Sequence, residues 1–307
     1  MEISPDVFIH NKLSSILDTG KPLATILSNP VAKHDDTLGT VALFEQLIDL
    51  PMKASSYLPE TLHDPKPKGA DNTAFNRALN TNMVYFSWLE LPENTYRHNR
   101  FGASMKGVQN TTPPDSLLKG FNWEILPPQS TVVDVGAGIG SMSLELARAF
   151  PHLNFVLQDT PVTLANAMNF WNTKLPEAIN TGRVKLQAHD FFETQPVKHP
   201  SVFLMRMVLH DWSDDNAVNI LRHLCAAAGP ETQLVVIDNI LSYACTEDSF
   251  VGDIPGAVVE RLPPSPLLPN LGYAAVSSYL ADLSVCFLVL IMGDWLIQSR
   301  LIDVELS

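Results

Sequence analysis

A glycine-rich turn within residues 131–150 (TVVDVGAGIGSMSLELARAF) constrains the fold of this chain more than any other stretch. A β-branched run at 131–133 predicts a short buried strand that ends near Val135. Apolar residues at near-helical spacing predict a helix over residues 141–150, and three glycines at alternate positions lie between strand and helix. Glycines let a ligand touch the backbone, and a helix N-terminus favours polar groups. The pattern therefore predicts a cradle for a phosphate or a nucleoside.

The spacing of the glycines favours one ligand over another. A dinucleotide fingerprint, G-x-G-x-x-G, would require its third glycine at position 141, where the chain has Ser141. A nicotinamide dehydrogenase is therefore the least favoured interpretation. The observed pattern over residues 134–140 is D-x-G-x-G-x-G, which resembles the S-adenosylmethionine site of class I methyltransferases.

Composition narrows the class of protein further. With 46% hydrophobic and 17% charged residues, the 307-residue chain can bury a sizeable core. A formal net charge of −13 argues against a nucleic-acid partner, which needs basic patches to neutralise phosphates. Three widely spaced cysteines predict a reducing compartment and no metal site, and the amino terminus carries no secretory pattern. The longest apolar run, 285–292, is shorter than the roughly 20 residues that span a bilayer, so we expect a cytoplasmic protein.

Residues 1–120 are predicted to form helical segments joined by loops. The predicted helices cover residues 6–17, 37–50, 73–91 and 97–107. Pro51 is expected to close the second of them. The third carries an apolar stripe that includes Met83, Phe86 and Trp88. These three side chains either pack in the core or line an apolar pocket for an aromatic substrate.

From about residue 121 the pattern changes to alternating strands and helices. This alternation is typical of an α/β fold with a Rossmann-like, doubly wound parallel sheet. The predicted strands are 131–135, 154–158, 183–188, 202–209 and 233–238. Ligands of doubly wound sheets bind at the carboxyl ends of the strands, so the polar residues there are candidates for the site.

Several of these strand ends carry residues suited to a nucleoside. Asp159 follows the second strand and either accepts the ribose hydroxyls or caps the helix opened by Pro161. Asp190 and Phe191 after the third strand offer an acceptor for an adenine amino group and an aromatic face, or are an ordinary loop Asp and a core Phe. Arg206 lies in an apolar strand, where a cation is costly unless it is paired or bound to a ligand.

The fourth and fifth strands end in a histidine and a carboxylate. His210 has the proton affinity of a general base near neutral pH, although a lone histidine is more often structural. Asp238 on the neighbouring strand either fixes the imidazole tautomer or opens a turn with Asn239.

Five segments in this order, VVDVGAGIGS, FVLQD, HDFFE, FLMRMVLHDWSDD and LVVIDNIL, resemble fungal and plant O-methyltransferases of the caffeate/flavonoid type. The resemblance extends from about residue 5 to about residue 283. It implies S-adenosyl-L-methionine as methyl donor, a small aromatic or phenolic acceptor and a homodimer. By position it implies a glycine contact at Gly136, a ribose contact at Asp159, adenine contacts at Asp190 and Phe191, a basic residue close to the cofactor at Arg206, the catalytic base at His210 and its carboxylate at Asp238.

The chain departs from this family at both ends. The family's winged-helix dimerisation domain begins before the equivalent of Met1, so residues 1–120 are expected to hold only its final helices. Residues 121–307 are expected to form the cofactor-binding domain with an atypical carboxyl end, in which Asp294 is an approximate stand-in for a second carboxylate. Two alternatives follow: a catalytically impaired homologue that acts as a dimerisation or regulatory partner, and a pericyclase on the same fold.

Overall fold

The computed structural model of the protein describes residues 2–64, 72–109, 116–238, 241, 244 and 263–289. Its strands are β1 (Glu2–Ser4), β2 (Val7–Phe8), β3 (Thr131–Val135), β4 (Asn154–Asp159), β5 (Val184–Ala188), β6 (Val202–Arg206) and β7 (Gln233–Ile237). Its α-helices are α1 (Leu23–Ser28), α2 (Thr40–Ile48), α3 (Leu50–Ser55), α4 (Leu58–His63), α5 (Ala74–Leu79), α6 (Tyr85–Leu89), α7 (Thr95–Gln109), α8 (Ser116–Gly120), α9 (Ser141–Ala149), α10 (Pro161–Lys174), α11 (Pro176–Asn180), α12 (Asp214–Cys225) and α13 (Val276–Leu288).

A parallel sheet in the order β5-β4-β3-β6-β7 organises the second half of the chain. The chain moves outward from β3 through β4 to β5 and then returns to β6 on the other side of β3. In the register of the sheet, Val133 lies between Val156 of β4 and Phe203 of β6. The order therefore reverses between β3 and β6, which is the point where doubly wound sheets bind ligands. The predicted α/β fold class is confirmed.

Both faces of the central strands of this sheet are covered, because alternate residues of these strands enter two separate apolar clusters. Val132 and Leu204 belong to the cluster that α9 and α10 complete, which includes Trp171. Val133 and Phe203 belong to the cluster on the other face, which α12 completes. This alternation is the period of two expected of a strand. Because both faces of the central strands are buried, their sequences are continuous apolar runs, and these runs predicted the strands correctly.

The predicted helix over residues 6–17 is wrong. The structure has the β1–β2 hairpin there, with Asp6 at a positive φ of 61° between the two strands, and a 3₁₀ turn follows at Ser14–Leu17. The Asn11 side-chain oxygen accepts hydrogen bonds from the backbone N–H groups of Leu13 and Ser14 at 2.9 and 2.8 Å. Such local bonds compete with helical hydrogen bonds, which the apolar spacing alone does not reveal.

The long helix predicted over residues 73–91 is two short helices, α5 and α6. Asn80 ends α5 in the left-handed conformation, at a φ of 50°. The Asn76 side-chain amide donates to the carbonyl oxygens of Thr81 and Met83 at 3.0 and 2.8 Å, which stabilises the turn between the helices. Asparagine tolerates this conformation better than most residues, so the break has a local cause.

The sequence predicted that Pro51 closes the preceding helix, and this prediction is wrong. Helix α2 ends at Ile48, and Pro51 lies in the first turn of α3. The first turn of a helix tolerates proline because its N–H groups have no intrahelical partner. The predicted helix at 97–107 is confirmed within α7.

Helices α2 and α7 cross in close contact at two glycines. A Cβ atom placed on Gly107 would lie 2.6 Å from the carbonyl oxygen of Gly39, so neither position has room for a side chain. At the other end of α2, Asp49 accepts hydrogen bonds from Arg97 Nε at 3.0 Å and Arg100 Nη2 at 2.8 Å. Arg100 is buried, and this ion-pair cluster joins α2 to α7.

Helix α13 packs on the helical region, against α3 and α5. Leu288 and Val289 enter the apolar cluster of Leu50 and Phe75. The Thr73 hydroxyl donates a hydrogen bond to the carbonyl oxygen of Leu288 at 3.4 Å. The carboxyl-terminal part of the described chain therefore lies against the amino-terminal helices. Asp294, predicted from the sequence as an approximate stand-in for the family's second carboxylate, lies outside the described residues.

The amino-terminal segment leaves many large apolar side chains exposed. We define its amino-terminal apolar surface by Phe8, Leu13, Leu23, Leu27 and Leu38, whose exposed fractions lie between 69% and 77%. Monomeric proteins rarely expose so many large apolar groups along one segment. Separately, among the described residues no helix combines the length and the apolar character needed to cross a membrane.

Candidate active site

The glycine turn and the end of β4 are joined by the carboxylate of Asp159. Its Oδ2 accepts the backbone N–H of Gly138 at 2.8 Å, and its Oδ1 accepts that of Thr160 at 2.8 Å. Burial raises the pKa of Asp159, although these two N–H donors favour its charged form. The cap of α10 is the Thr160 hydroxyl, which accepts from the backbone N–H of Thr163 at 3.4 Å. The alternative that Asp159 is the helix cap is therefore wrong.

The turn itself presents an open cradle at Gly138. A Cβ atom there would meet no atom within 4 Å, and the residue has a φ of 59°. Two residues later a Cβ atom on Gly140 would lie 2.6 Å from Leu157 Cδ1 and 2.7 Å from Trp171 Nε1. Gly138 thus faces open space beside a fixed carboxylate and the N-terminus of α9. This combination of a fixed acceptor, an exposed backbone and room for a ligand fits a nucleoside-containing cofactor.

Phe191 borders the same loop. A Cβ atom on Gly136 would lie 3.8 Å from Phe191 Cε1, so the ring is adjacent to the first glycine. Asp190 lies beside it beyond the end of β5, exposed, and its carboxylate accepts the backbone N–H of Phe192 at 2.9 Å. The structure thus places the Phe191 ring beside the first glycine of the turn, and the adenine contacts of Asp190 and Phe191 stay predictions.

Arg206 ends β6 and lies half-buried beside the cradle. Burial lowers its pKa, against the attraction of Asp134, Glu145 and Asp238. Within the described part of the chain, its guanidinium group makes no hydrogen bond and no ion pair. Asp134 on β3 is buried, and it accepts the Ser143 hydroxyl at 2.6 Å. Burial raises the pKa of Asp134 to about 6, and this link between β3 and α9 was not foreseen from the sequence.

His210 and Asp238 meet at the ends of β6 and β7. These strands pair in parallel with Arg206 opposite Ile237, so the residues just beyond them lie side by side. His210 Nδ1 lies 2.6 Å from Asp238 Oδ1, and the backbone N–H of His210 donates to Asp238 Oδ2 at 3.4 Å. The His210 Nε2 atom lies 3.5 Å from Asp211 Oδ1. The predicted histidine–carboxylate pair is therefore present in the structure.

The charges around His210 make its imidazole strongly basic. Burial by itself lowers the pKa of His210, but Asp211, Asp238 and Asp282 together raise it to about 9. Burial also raises the pKa of Asp211 to about 6. Sequence reasoning missed two of these carboxylates. Asp211 adjoins the histidine in the chain and could have been found, whereas Asp282 approaches only through the packing of α13.

The three residues predicted to line a substrate pocket have different surroundings. The Phe86 ring lies 6.2 Å from that of Trp212, two residues beyond the histidine. Trp88 packs instead against Phe75, with ring centroids 5.3 Å apart. Met83 is half-buried. Of the three, Phe86 is the residue whose ring contacts the segment that follows His210.

Residues 60–249 match the O-methyltransferase domain family. The chain belongs to this family. It is 41% identical to 4-O-methyltransferase 1 of Phanerochaete chrysosporium over 288 residues, which cover 92% of the chain and 60% of that protein. The chain thus spans about 60% of the length of the first curated relatives it matches. The resemblance expected from the sequence motifs is confirmed.

Two solved structures share the fold of this O-methyltransferase domain. Mitomycin 7-O-methyltransferase MmcR superposes with a TM-score of 0.60 at 24% identity, over 92% of this chain and 66% of that one. LepI, solved in complex with S-adenosylmethionine, superposes with a TM-score of 0.55 at 22% identity, over 82% and 58% of the two chains. The cofactor expected from the glycine pattern, S-adenosylmethionine, is that of the family. Among the residues that the structure describes, no group of three or more His, Cys, Asp or Glu side chains could hold a metal ion.

Proposed function

We propose that the protein is an O-methyltransferase that moves a methyl group from S-adenosylmethionine to a hydroxyl group of a small aromatic or phenolic secondary metabolite. The observation that carries this proposal is the 2.6 Å contact of His210 Nδ1 with Asp238, at the same sheet edge as the open glycine cradle. The cofactor, when bound, supplies a positively charged sulfonium methyl group. Everything else in the reaction is binding, orientation and proton transfer by the chain's own residues.

In this proposal the residues of the cradle hold the cofactor. Asp159, fixed by two backbone N–H groups, accepts hydrogen bonds from the ribose hydroxyls. Phe191 offers its ring to the adenine plane, and Asp190 offers an acceptor for the amino group. The guanidinium group of Arg206, unpaired within the described residues, is available to an anionic group of the cofactor.

His210 is proposed as the general base. Asp238 holds a proton of the imidazole on Nδ1, so that in the neutral tautomer Nε2 is the nitrogen that accepts the hydroxyl proton of the acceptor. A base with a pKa of about 9 lies within about one unit of a phenol, whose ordinary pKa is about 10. Proton transfer from a phenol to Nε2 is then nearly balanced in free energy. Because the raised pKa keeps most of the imidazole protonated at neutral pH, we expect the rate to rise with pH toward 9.

The acceptor pocket is proposed to lie between the helical region and the histidine turn. Met83, Phe86 and Trp88 supply its apolar wall, and the contact of Phe86 with Trp212 favours a flat aromatic acceptor there.

We further propose two units: residues 1–120, which carry this wall and the dimer contact, and residues 121–307, which carry the cofactor. The reduced thiols of Cys225 and Cys286 suit the reducing cytoplasm.

Isothermal titration with S-adenosylhomocysteine tests the cofactor site, and methyl transfer to a panel of phenols tests the chemistry. We expect the wild-type protein to bind the cofactor product and to methylate a phenol. His210→Ala should bind it equally well and lose turnover by at least about 100-fold. Absence of binding would refute the proposal. Binding without turnover would favour the impaired homologue, and conversion of substrate without consumption of cofactor would favour the pericyclase.

A further inference from the structure

Glu90 links the helical region to the cofactor cradle. It follows the last residue of α6, and the Thr160 hydroxyl donates a hydrogen bond to its Oε1 atom at 2.5 Å. The two residues are 70 positions apart in the chain, and both are half-buried. Thr160 lies between the end of β4 and the start of α10. The hydrogen bond therefore joins α6 to the carboxyl end of a strand of the parallel sheet.

Thr160 also holds the Asp159 carboxylate. Its backbone N–H donates to Asp159 Oδ1 at 2.8 Å, while the N–H of Gly138 donates to Oδ2 at 2.8 Å. Its hydroxyl accepts the backbone N–H of Thr163 at 3.4 Å and so caps α10. A threonine hydroxyl has one proton and two lone pairs, so it can donate to Glu90 while it caps the helix. The position of Thr160 thus controls one of the two N–H donors that fix Asp159.

The backbone around Glu90 is well supported. Its N–H donates to the carbonyl oxygen of Phe86 at 3.2 Å, and the preceding residue, Leu89, is buried in the apolar cluster of the helical region. The Asn94 side-chain amide donates to the carbonyl oxygen of Trp88 at 2.7 Å, which fixes the turn that follows. A carboxylate on such a support can hold its hydrogen-bond partner in place.

The charge of Glu90 does not itself favour the charged form of Asp159. Burial raises the pKa of Asp159, and the negative charge of Glu90 adds to this rise, whereas the N–H donors of Gly138 and Thr160 oppose it. Two neighbouring carboxylates repel each other. A favourable effect of Glu90 on Asp159 therefore passes through the hydrogen bond to Thr160.

We propose that Glu90 is a positioning residue of the cofactor cradle, which holds Thr160 and through it the Asp159 carboxylate in the orientation that receives the ribose. This inference rests on the proposed function of Asp159 as the ribose contact. Phe86, whose carbonyl oxygen accepts the Glu90 N–H, belongs to the proposed acceptor wall. The hydrogen bond from Thr160 to Glu90 thereby connects the acceptor wall with the cofactor cradle.

Isothermal titration of the full chain with S-adenosylhomocysteine tests this role. Glu90→Ala should weaken binding at least about fivefold, because Thr160 loses its acceptor. Glu90→Gln keeps an acceptor oxygen and removes the repulsion of Asp159, so its affinity should stay within about twofold of wild type or exceed it. Glu93→Ala is the matched control, since Glu93 is an exposed carboxylate in the next turn of the chain, and it should change the affinity less than about twofold.

Substitutions of Thr160 test the other end of the hydrogen bond. Thr160→Val removes the hydroxyl and keeps the shape, and it should weaken binding at least as much as Glu90→Ala. Thr160→Ser keeps the hydroxyl and should bind within about twofold of wild type. Glu90→Ala combined with Thr160→Val should lose little more than Thr160→Val alone, because both changes break the same hydrogen bond. Additive losses would overturn the proposal.

The outcomes separate this inference from the proposed function. A wild-type protein that does not bind S-adenosylhomocysteine would refute the proposed function and with it this inference. Binding by the wild type that a folded Glu90→Ala retains in full would overturn the role of Glu90 alone. Urea unfolding checks each variant, and if Glu90→Ala does not fold, the contrast between Thr160→Val and Thr160→Ser decides.

Turnover with a phenol gives an independent measurement. Glu90→Ala should raise the KM for S-adenosylmethionine at least about fivefold, with kcat changed less than about twofold, because the hydrogen bond acts on cofactor binding and not on His210. A lower kcat at unchanged KM would contradict the assigned role.

Discussion

Two glycines of the same turn have opposite surroundings. Gly138 faces open space above the turn, whereas Gly140 lies against Leu157 and Trp171. Both adopt positive φ, at 59° and 75°, so an alanine at either position carries a similar backbone cost of about 1–2 kcal/mol. The difference between the two positions is what the new methyl group would meet. They form a matched pair that separates ligand binding from folding.

We predict that Gly138→Ala retains the fold and loses at least about tenfold in affinity for S-adenosylhomocysteine, because its methyl group occupies the cradle. Gly140→Ala should instead lower the free energy of unfolding by about 2–5 kcal/mol, as backbone strain and overpacking add. Titration calorimetry measures the first effect and urea unfolding the second. Unchanged affinity in Gly138→Ala would show that the ligand does not approach this part of the turn.

The residues of the site were predictable where the chain itself brings them together. The ends of two neighbouring parallel strands must meet, so His210 and Asp238 could be paired from the sequence. Asp282 could not, because its approach depends on how α13 packs on α3 and α5. The proposed roles of the cradle residues remain predictions, since the structure fixes their positions and not their ligands.

At the scale of elements, burial decided which predictions were accurate. The central strands β3, β4 and β6 were placed within a few residues because apolar residues on both of their faces leave little ambiguity. The helices predicted at 6–17 and 73–91 were wrong because side chains such as Asn11 and Asn76 bind the backbone locally. Apolar periodicity reports a buried face and does not report these bonds.

The contact of α2 with α7 depends on the charge of Asp49. Burial alone raises its pKa, but Lys53, Arg100 and Arg97 lower it to about 2. Because the folded-state pKa lies below the unfolded value of 3.8, this stabilisation is present above pH 3.8 and is lost as pH falls through about 2. The buried guanidinium of Arg100 would be left without its carboxylate if Asp49 were removed.

We therefore predict that Asp49→Asn lowers the free energy of unfolding at pH 7 by about 3 kcal/mol or more. The difference from wild type should shrink as the pH is lowered toward 2. Urea unfolding across this pH range measures both effects. Asp36→Asn serves as the control: Asp36 is exposed and lies 3.8 Å from Lys174, and its loss should change stability little. Equal effects of the two substitutions would contradict the assigned role of Asp49.

At the scale of the whole molecule, the two predicted units are less separate than the sequence suggested. Helix α13 follows the sheet in the chain but packs on the amino-terminal helices. Contacts of this kind join residues far apart in sequence and leave no local pattern, so they could not be foreseen. The amino-terminal apolar surface is a different case. The sequence shows that its side chains are apolar, but it does not show that they are exposed.

We predict that this surface associates with a second copy of the chain. Burial of apolar area would stabilise such a dimer, and charged substitutions there should oppose it. In sedimentation velocity, Leu13→Glu combined with Leu27→Glu should shift the protein toward monomer, while affinity for S-adenosylhomocysteine remains unchanged. Leu234→Glu, a similarly apolar but distant exposed position, is the control. A wild-type protein that is monomeric at all concentrations would refute the prediction.

The crossing of α2 and α7 at Gly39 and Gly107 has a consequence for the history of the gene. Each glycine excludes any side chain at the other, so no single-step replacement is tolerated at either codon without moving a helix. We therefore expect descendants of this gene that keep the crossing to retain glycine at both positions.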